Sequence, residues 1–272
     1  MVGKLYLVAT PIGNLGDITL RAINTLKEVD IIAAEDTRHT LKLLNHLQIS
    51  KPLISYHRHN EEVKSEDLIN KLLEGKNIAV VTDAGTPGIS DPGEEIVKEA
   101  IKNSIEIVPI PGACAAINAL IISGLSTKEF VFLGFLPLNK KLRNNKLEEI
   151  KNEHKTIIIY EAPHKLKTTL EDLKSILLNR NVVIVKELTK IHEKVIRGRI
   201  EEIIKECENP KGEFIIMIEG AKKELEENNL NKLTIEEHYK YYEEQGLTKK
   251  DIIKKIAKDR NVDKNEIYMK FI

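Results

Sequence analysis

The regular alternation of short apolar runs with longer amphipathic runs most constrains the fold of the first half of this chain. In the longer runs, apolar residues recur every three or four positions, as at Leu20, Ile23 and Leu26, which indicates helices with one buried face. Short β-rich runs that alternate with such helices are typical of a parallel α/β sheet. We therefore predict five parallel strands, at Leu5–Ala9, Asp30–Ala34, Leu53–Tyr56, Ile78–Thr82 and Ile105–Pro109.

A second α/β unit is predicted in the following part of the chain. One helix is expected between Pro163 and Leu178, and the last strands of this unit are close together in sequence. Parallel strands need long crossover connections, so strands joined this closely indicate a mixed sheet. The predicted strands are Thr156–Tyr160, Val182–Lys186, Lys194–Arg197 and Phe214–Ile218.

These patterns divide the chain into four parts. Residues 1–136 are expected to form an N-terminal α/β domain, and the polar, basic stretch 137–146 is typical of a linker. Residues 147–220 are expected to form the second α/β domain. Residues 221–272 contain a charged segment and a small helical tail that is similar to a helix-turn-helix.

The composition excludes several classes of protein. Basic and acidic residues both number 42, so no overall charge would draw the chain onto nucleic acid or a membrane. Apolar residues make up 42% of the chain and charged residues 31%, which is typical of a soluble globular protein. Cys114 and Cys207 have no metal-ligand spacing around them, which favours a reducing compartment over a disulfide framework.

No targeting or membrane segment is recognisable in the sequence. The first residues lack the basic start and long apolar core of a signal peptide. The most apolar helix candidate, Ala113 to Ile122, is about half the ~20 residues that a membrane span requires, and Asn118 interrupts it. We therefore expect a cytoplasmic protein that does not bind a membrane.

The opening loop, VATPIGNLGDITLRA at Val8–Ala22, looks like a phosphate-binding loop because it joins a strand to a helix. Ligands of parallel α/β sheets bind at the carboxyl ends of the strands, where this loop is expected to lie. It lacks the Gly-Lys-Ser/Thr ending of a P-loop, and Gly13 and Gly16 do not complete a three-glycine dinucleotide motif. A P-loop nucleotidase is therefore a distant alternative.

Two further loops have the composition of ligand-binding loops. VVTDAGTPGISDPGEE, at Val80–Glu95, holds three glycines and two prolines between a strand and a helix. Glycine lets a ligand approach the backbone and proline holds a loop rigid, although a long, well-formed turn would look the same. VPIPGACAA, at Val108–Ala116, places small residues where a helix begins and could admit a flat ring there.

The fourth loop, AAEDTRHT at Ala33–Thr40, is charged. Glu35, Asp36 and Arg38 follow a buried strand, and the stretch SYHRHNE with His57 follows another predicted strand. These side chains form either an ion pair that caps the next helix or a polar site at the sheet edge. We favour the polar site because both loops should open on the same side of the sheet.

In combination, these loops resemble the ribosomal RNA small-subunit methyltransferase I family of the tetrapyrrole-methylase superfamily. The resemblance extends from about Leu5 to Gly220, and the chain beyond is only loosely similar. Lys165 and Lys186 depart from it, because arginine is expected at both positions. The motifs that carry it are YLVATPIGNLGDITLRA, AAEDTR, SYHRHNE, VTDAGTPGISDPG, PIPGACAA, GFLP, YEAPHK, KELTKIHE and KGEF.

The resemblance implies an activity and a set of ligands. It implies two α/β domains with S-adenosylmethionine between them, and a homodimer. The implied reaction is methylation of a cytidine ribose 2′-hydroxyl in the decoding region of small-subunit (16S) ribosomal RNA, either free or in the 30S particle. The resemblance also implies that the donor contacts Pro11, Ala84, Gly85, Thr86, Ile89, Cys114, Ala115, Glu161, Gly212 and Glu213.

Methyl transfer to a ribose hydroxyl requires alignment and a base. The hydroxyl is a poor nucleophile at neutral pH, so a positioned base could add roughly 10²–10⁴ in rate. Asp36 and Glu35 are the first candidates for this base, with Arg38 beside them and His57 and Glu187 behind them. No His/Cys cluster has metal-ligand spacing, so no metal is expected.

Local charge would have to hold the RNA. Residues 137–167 and 246–272 each carry eight Lys/Arg and four Asp/Glu. In the second stretch we predict a helix from Lys249 to Asp259, a turn at Asn261–Val262 and a second helix. The basic outer face of these helices could lie on RNA phosphates, and a small cap that stabilises the dimer or the core is an equal alternative. The residues expected to face the second helix are Ile252, Ile253, Ile256 and Ala257.

Two other functions stay open. An enzyme of the same superfamily could methylate a tetrapyrrole carbon of the uroporphyrinogen or precorrin type, although AAEDTR, YEAPHK, KELTK and the basic tail fit the RNA branch better. A non-catalytic RNA- or DNA-binding protein built around the tail is the other alternative. It would bind nucleic acid without its first 220 residues and would transfer no methyl group.

Overall fold

The structure is a computed structural model that describes residues 1–177, 179–207, 210–222, 230, 233–260 and 262–271. The chain forms two compact units, Met1–Ala221 and Lys222–Ile272. Among the described residues, every helix is too short or too polar to cross a lipid bilayer.

The first sheet has five strands and is parallel throughout, which confirms the predicted class. Its strands are β1 (Leu5–Val8), β2 (Ile31–Ala34), β3 (Leu53–Ser55), β4 (Ile78–Val81) and β5 (Ile107–Ile110). Their order in the sheet is β3-β2-β4-β1-β5. Strand β2 therefore lies beside β4, although β3 separates them in the chain.

Helices cover both faces of this sheet because its strands present apolar side chains to both sides. The helices are α1 (Leu20–Glu28), α2 (Thr37–His46), α3 (Glu61–Leu73) and α4 (Glu94–Lys102). Leu5 and Val80 lie on the face of the sheet that α3 and α4 cover. Val8 and Ala79 lie on the opposite face, which α1 and α2 cover. The helix predicted from the spacing of Leu20, Ile23 and Leu26 is confirmed by α1, but of these three only Leu26 is fully buried and Leu20 is exposed.

The second sheet is mixed, as predicted. Its strands are β6 (Phe130–Phe135), β7 (Thr156–Glu161), β8 (Asn181–Lys186), β9 (Lys194–Arg199) and β10 (Phe214–Ile218). Their order is β6-β7-β10-β8-β9, and only β6 and β7 are parallel. Helices α7 (Pro163–Leu177) and α8 (Ile200–Glu206) cover one face, and Leu178 lies outside the described residues.

Two elements at the junction of the sheets were not predicted from the sequence. Strand β6 is one of them, and α6 (Lys140–Asn152) is the other, in a stretch that composition predicts to be a linker. Asn139 caps α6 by accepting from the backbone of Lys141 and Leu142. The helix is anchored by Leu147 and Ile150, which are buried, and these lie beyond the polar run on which the linker prediction rests. The division of the chain at 136, 146 and 220 stays a prediction.

Helix α5 (Ala115–Ser123) joins the two sheets. It follows β5 of the first sheet, yet Ala116, Ala119 and Leu120 pack in one cluster with Ile158 and Ile215 of the second sheet. The loops at the carboxyl ends of β1, β4 and β5 are thereby held against the second sheet.

In the described residues of the unit Lys222–Ile272 there are three α-helices, α9 (Ile235–Glu243), α10 (Lys249–Arg260) and α11 (Lys264–Tyr268). Asn261, in the predicted turn, and most of the charged stretch 221–232 lie outside the described residues. The four residues expected to face the second helix of the tail are buried in one cluster with Ile267 of α11. These four are Ile252, Ile253, Ile256 and Ala257.

A candidate active site in the cleft between the sheets

A cleft of about 360 Å³ lies where the loops of the first sheet meet the second sheet. Its volume is in the range of small-molecule sites. The first sheet supplies the ends of three loops, with Ile12 after β1, Thr86 after β4 and Cys114 after β5. The second sheet supplies residues such as Tyr160 and Phe214. The cleft is therefore bordered by the carboxyl ends of parallel strands, where ligands of such sheets bind.

The DAGTPG loop is tied to its two neighbours by backbone geometry. Gly85 has φ +89° and exchanges two backbone hydrogen bonds with Thr10, of 2.9 and 3.1 Å between N and O. The Thr86 hydroxyl donates to the carbonyl of Ala113 at 3.0 Å. A Cβ on Gly85 would lie 3.3 Å from Cγ2 of Ile12. Three loops that are far apart in sequence thus form one rigid wall.

Tyr160 fixes the amino end of α5 at the opposite wall. Its hydroxyl accepts from the backbone N–H of Ala116 at 2.9 Å, so it satisfies one donor of the first helical turn. Its ring meets Phe132 and Phe135 edge to face, with ring centroids 4.9 and 5.8 Å away. Burial, with the neighbouring Cys114, raises the pKa of Tyr160 to about 12. Tyr160 is therefore a neutral hydroxyl.

Three carboxylates, Glu35, Asp83 and Asp91, line one edge of the cleft. The backbone N–H of Asp83 donates to Oε2 of Glu35 at 3.3 Å, because Ala34 at the end of β2 pairs with Val81 at the end of β4. Burial raises the pKa of Glu35, and the negative charge of Asp83 raises it further. These groups form an acidic edge whose charges disfavour full ionisation.

Asp91 is the most perturbed carboxyl of this edge. Burial first, and then the charges of Glu35 and Asp83, raise its pKa to about 6, against the opposing effect of Arg58. Arg58 itself donates to the carbonyl of Ser90 at 2.7 Å. Asp91 thus changes charge close to neutral pH.

Comparison with known proteins identifies the family of this chain. A family model described as Tetrapyrrole (Corrin/Porphyrin) Methylases matches residues 4–204. Ribosomal RNA small subunit methyltransferase I of Halalkalibacterium halodurans is 53% identical over 270 residues, which cover 98% of this chain and 93% of the relative. This chain belongs to the ribosomal RNA small subunit methyltransferase I family. A protein of the same name from Bacillus subtilis (strain 168) is 50% identical over 272 residues, with coverage of 98% and 93%.

Solved structures show the same fold at low sequence identity. Diphthine synthase is 15% identical, with a TM-score of 0.64 over 80% of this chain and 90% of that one. Uroporphyrin-III C-methyl transferase from Thermus thermophilus, complexed with S-adenyl homocysteine, is 16% identical, with a TM-score of 0.58 over 80% of this chain and 97% of that one. The predicted resemblance to this family and the predicted fold class are both confirmed.

The cleft of this family member is lined by eight of the ten residues for which the resemblance implies donor contact. The other two, Pro11 and Gly212, each lie one residue away from a lining residue, Ile12 and Glu213 respectively. Donor contact itself stays a prediction for all ten. The eight that line the cleft are Ala84, Gly85, Thr86, Ile89, Cys114, Ala115, Glu161 and Glu213.

The five catalytic candidates are not gathered at one point. Glu35 lines the cleft, whereas Asp36 caps α2 and accepts from the backbone of Arg38 at 2.8 Å. The Arg38 guanidinium also binds both Asp36 oxygens, at 3.1 and 2.7 Å, and holds the pKa of that carboxyl well below its usual range. Asp36 is therefore a weaker base than the sequence suggests. The ion-pair cap, which we set aside in favour of a polar site, is present.

His57 and Glu187 have local partners of their own. The backbone N–H of His57 donates to Asn60 at 2.8 Å, and its Nδ1 is buried without a partner among the described residues. Glu187 accepts from the backbone of Glu213 at 2.9 Å and from Lys190 at 3.1 Å, and the first of these contacts lowers its pKa. Glu187 thus positions Glu213, which lines the cleft.

Asp83 and Asp91 are the charged site residues that the sequence reasoning passed over. Both belong to the loop VVTDAGTPGISDPGEE, which we treated as a source of backbone contacts only. Asp83 follows β4 closely and Glu35 follows β2 at once, and the two strands are neighbours in the sheet. The sequence does show two carboxylates that follow predicted strands. It does not show that these strands are neighbours in the sheet, so it could not predict that the two carboxylates meet. Within the described ranges, His, Cys, Asp and Glu side chains form no group that could hold a metal ion.

Proposed function

We propose that this chain transfers a methyl group from S-adenosylmethionine to the ribose 2′-hydroxyl of a cytidine in the decoding region of small-subunit (16S) ribosomal RNA. One observation carries the proposal. A relative named ribosomal RNA small subunit methyltransferase I is 53% identical across 98% of this chain, and eight of the nine motifs of the resemblance contribute residues to the cleft. The choice of nucleotide and of the 2′-hydroxyl rests on the resemblance alone.

The cleft residues fit a sulfonium donor. The walls offer small side chains and backbone at Ala84, Gly85 and Ala115, which a flat adenine and a slim methionine chain can approach. The acidic edge at Asp83 and Asp91 complements a ligand that carries positive charge. When bound, the donor supplies an electrophilic methyl group on sulfur. The likeness in fold to a methyltransferase complexed with S-adenyl homocysteine agrees with this ligand class.

The protein's own contribution is alignment and proton removal. The wall formed by Gly85, Thr86 and Thr10 is rigid, and positioning of two substrates can supply about 7–11 kcal/mol of the barrier. The acceptor hydroxyl must lose a proton as the oxygen attacks. We assign this proton to Asp91, because its carboxyl lines the cleft and its pKa of about 6 suits a base near neutral pH. Glu35, a candidate from the sequence, holds the Asp83 backbone and raises the pKa of Asp91 by its charge.

Two further parts of the proposal concern the state of the protein. A homodimer remains a prediction from the resemblance, and sedimentation of the full chain measures it. The substrate, ribosomal RNA or the 30S particle, is made in the cytoplasm, so the proposal places the enzyme there.

The test is ribose-methylation mapping of small-subunit RNA from cells with and without this chain. The proposal expects one cytidine 2′-O-methyl group in the decoding region to disappear with the gene and to return with the purified enzyme and labelled donor. An unchanged map would overturn it. Transfer of label to a uroporphyrinogen-type substrate instead of 30S particles would favour the tetrapyrrole alternative. RNA binding without any methyl transfer would favour the binding-protein alternative.

A further inference from the structure

Helix α10 of the unit Lys222–Ile272 is strongly two-sided. Its residues Ile252, Ile253, Ile256 and Ala257 are buried, whereas its remaining face is polar. The helix carries six basic and two acidic side chains. Its surface is therefore basic on the side that faces away from its own core.

Some of the basic residues of α10 are used within the unit. Lys249 donates to the carbonyl of Phe271 at 2.9 Å. The Lys255 ammonium lies 4.5 Å from the centre of the Tyr242 ring. Arg260 binds His238 and the carbonyl of Leu233. These three stabilise the packing of α10 and leave a separate group of lysines for solvent.

That group is Lys250, Lys254 and Lys258, which we call the lysine stripe. All three are exposed, and four-residue spacing puts them on one side of the helix, about 6 Å apart along its axis. Within the part of the chain that the structure describes, no side chain or carbonyl pairs with their ammonium groups. Three like charges in one row repel one another and destabilise the helix slightly.

Some lysines on other helices of this chain are neutralised locally. Lys71 binds Asp67 at 2.6 Å, Lys98 binds Glu94 at 2.8 Å and Lys102 binds Glu99 at 2.6 Å. In the other basic region, 137–167, Arg143 likewise binds Asp172. The lysine stripe differs from these because its charge is available to an anion outside the chain.

We propose that the lysine stripe binds the phosphate backbone of the substrate RNA. The row extends over about 12 Å, so three ammonium groups can follow a short run of phosphates on one strand. Lysine binds phosphate as a point charge, so such contacts hold and orient RNA without reading its sequence. The choice of RNA among polyanions rests on the proposed function. None of the three lysines is among the residues that line the cleft, so the proposed role is binding and not chemistry.

The test replaces Lys250, Lys254 and Lys258 by glutamine in the full chain. Glutamine keeps high helix propensity, and the three side chains are exposed. Binding of fluorescently labelled 16S ribosomal RNA transcript is measured at several KCl concentrations. Loss of three phosphate contacts should lower affinity about tenfold or more near 0.1 M salt and reduce the slope of log K against log salt by about 2. The KM for RNA should rise, while kcat at saturating RNA stays unchanged.

Two matched variants accompany the test. K71Q/K98Q/K102Q removes the same three charges from lysines that carboxylates already neutralise, and it should bind RNA almost as well as the wild type. K250R/K254R/K258R keeps the charges and should retain the affinity and the salt slope. Far-UV circular dichroism checks that all variants fold.

An unchanged slope in the stripe variant, or an equal loss in the control, would overturn the inference. Loss of binding to phosphatidylglycerol vesicles with RNA binding intact would also overturn it, in favour of a membrane surface. Failure of the proposed function is distinguishable. If the wild type methylates no RNA but its binding depends on the stripe, only the assigned reaction is wrong. If methylation is normal and the stripe variant binds like the wild type, only the stripe assignment is wrong.

Discussion

The backbone N–H of Asp83 donates to the Glu35 carboxylate at 3.3 Å, and this contact holds the carboxylates of Asp83 and Glu35 at the same edge of the cleft. It joins the ends of β2 and β4, which are neighbours in the sheet but have β3 between them in the chain. Asp91 comes near the same two carboxylates through the loop after β4. The edge therefore concentrates negative charge where the proposed reaction requires a base.

The first prediction concerns Asp91→Asn and methyl transfer. Removal of the base should lower the single-turnover rate by roughly 10²–10⁴. In the wild type the rate should rise with pH up to about 6 and then level, because the base works only when Asp91 is deprotonated. Rapid-quench assays with labelled donor over pH 5–8 measure both effects.

Asp36→Asn is the control for this prediction. Asparagine also caps helices, and the Asp36 carboxylate is already occupied by Arg38, so its rate should change far less. A larger loss in Asp36→Asn than in Asp91→Asn would return Asp36 to the role of base. Binding of S-adenosylhomocysteine should be similar in both variants.

The second prediction concerns stability against pH. The folded-state pKa of Asp91 is raised from 3.8 to about 6, so between these values the folded chain keeps a proton that the unfolded chain loses, and stability falls as pH rises. Asp91→Asn should remove this decrease in stability with rising pH. We expect the variant to match the wild type near pH 4 and to exceed it by about 1–2 kcal/mol at pH 7–8, a value reduced for the partial exposure of the group. Urea unfolding at each pH measures it.

Asp17→Asn serves as the matched control for stability, because Asp17 is exposed in the opening loop. Its unfolding free energy should follow the wild type at every pH. A parallel pH curve for Asp91→Asn would mean that Asp91 is not held protonated by the fold.

The third prediction compares two glycines of one loop. Gly85 and Gly88 have φ of +89° and +82°, so alanine at either position is strained by about 1–2 kcal/mol. At Gly85 the new Cβ also comes within 3.3 Å of Ile12, whereas at Gly88 it meets nothing within 4 Å. Gly85→Ala should therefore weaken donor binding more than Gly88→Ala. Calorimetric titration with S-adenosylhomocysteine, beside thermal unfolding, separates strain from wall distortion, and equal losses in both variants would contradict the argument.

The fourth prediction concerns Tyr160→Phe. The change leaves the N–H of Ala116, at the start of α5, without its acceptor, which should cost about 1–2 kcal/mol of unfolding free energy. Tyr268→Phe, with a half-exposed ring in the tail, should cost almost nothing. The two unfolding midpoints in urea give the comparison. Equal midpoints would mean that water replaces the tyrosine hydroxyl at Ala116.

Much of the fold is predictable because it depends on local periodicity. All five strands of the first sheet, and four strands of the second, follow from apolar runs and their flanking helices. Strand β6 was missed although its run, Phe130–Phe135, is as long as β7, and helix α6 was missed because Leu147 lies outside the polar window around residue 140. Their identity depends on pairing with β7 and on burial, which are tertiary properties.

The sequence by itself determined the alternating elements, the glycine and proline loops and the family, because these are patterns of adjacent residues. Only the tertiary structure decided which charged groups meet. Glu35 and Asp36 are neighbours in the chain, yet the first lines the cleft and the second caps α2. Strand order brings Asp83 to Glu35, and burial sets the pKa of Asp91. The spacing of the lysine stripe is visible in sequence, but its lack of partners among the described residues is a property of the folded chain.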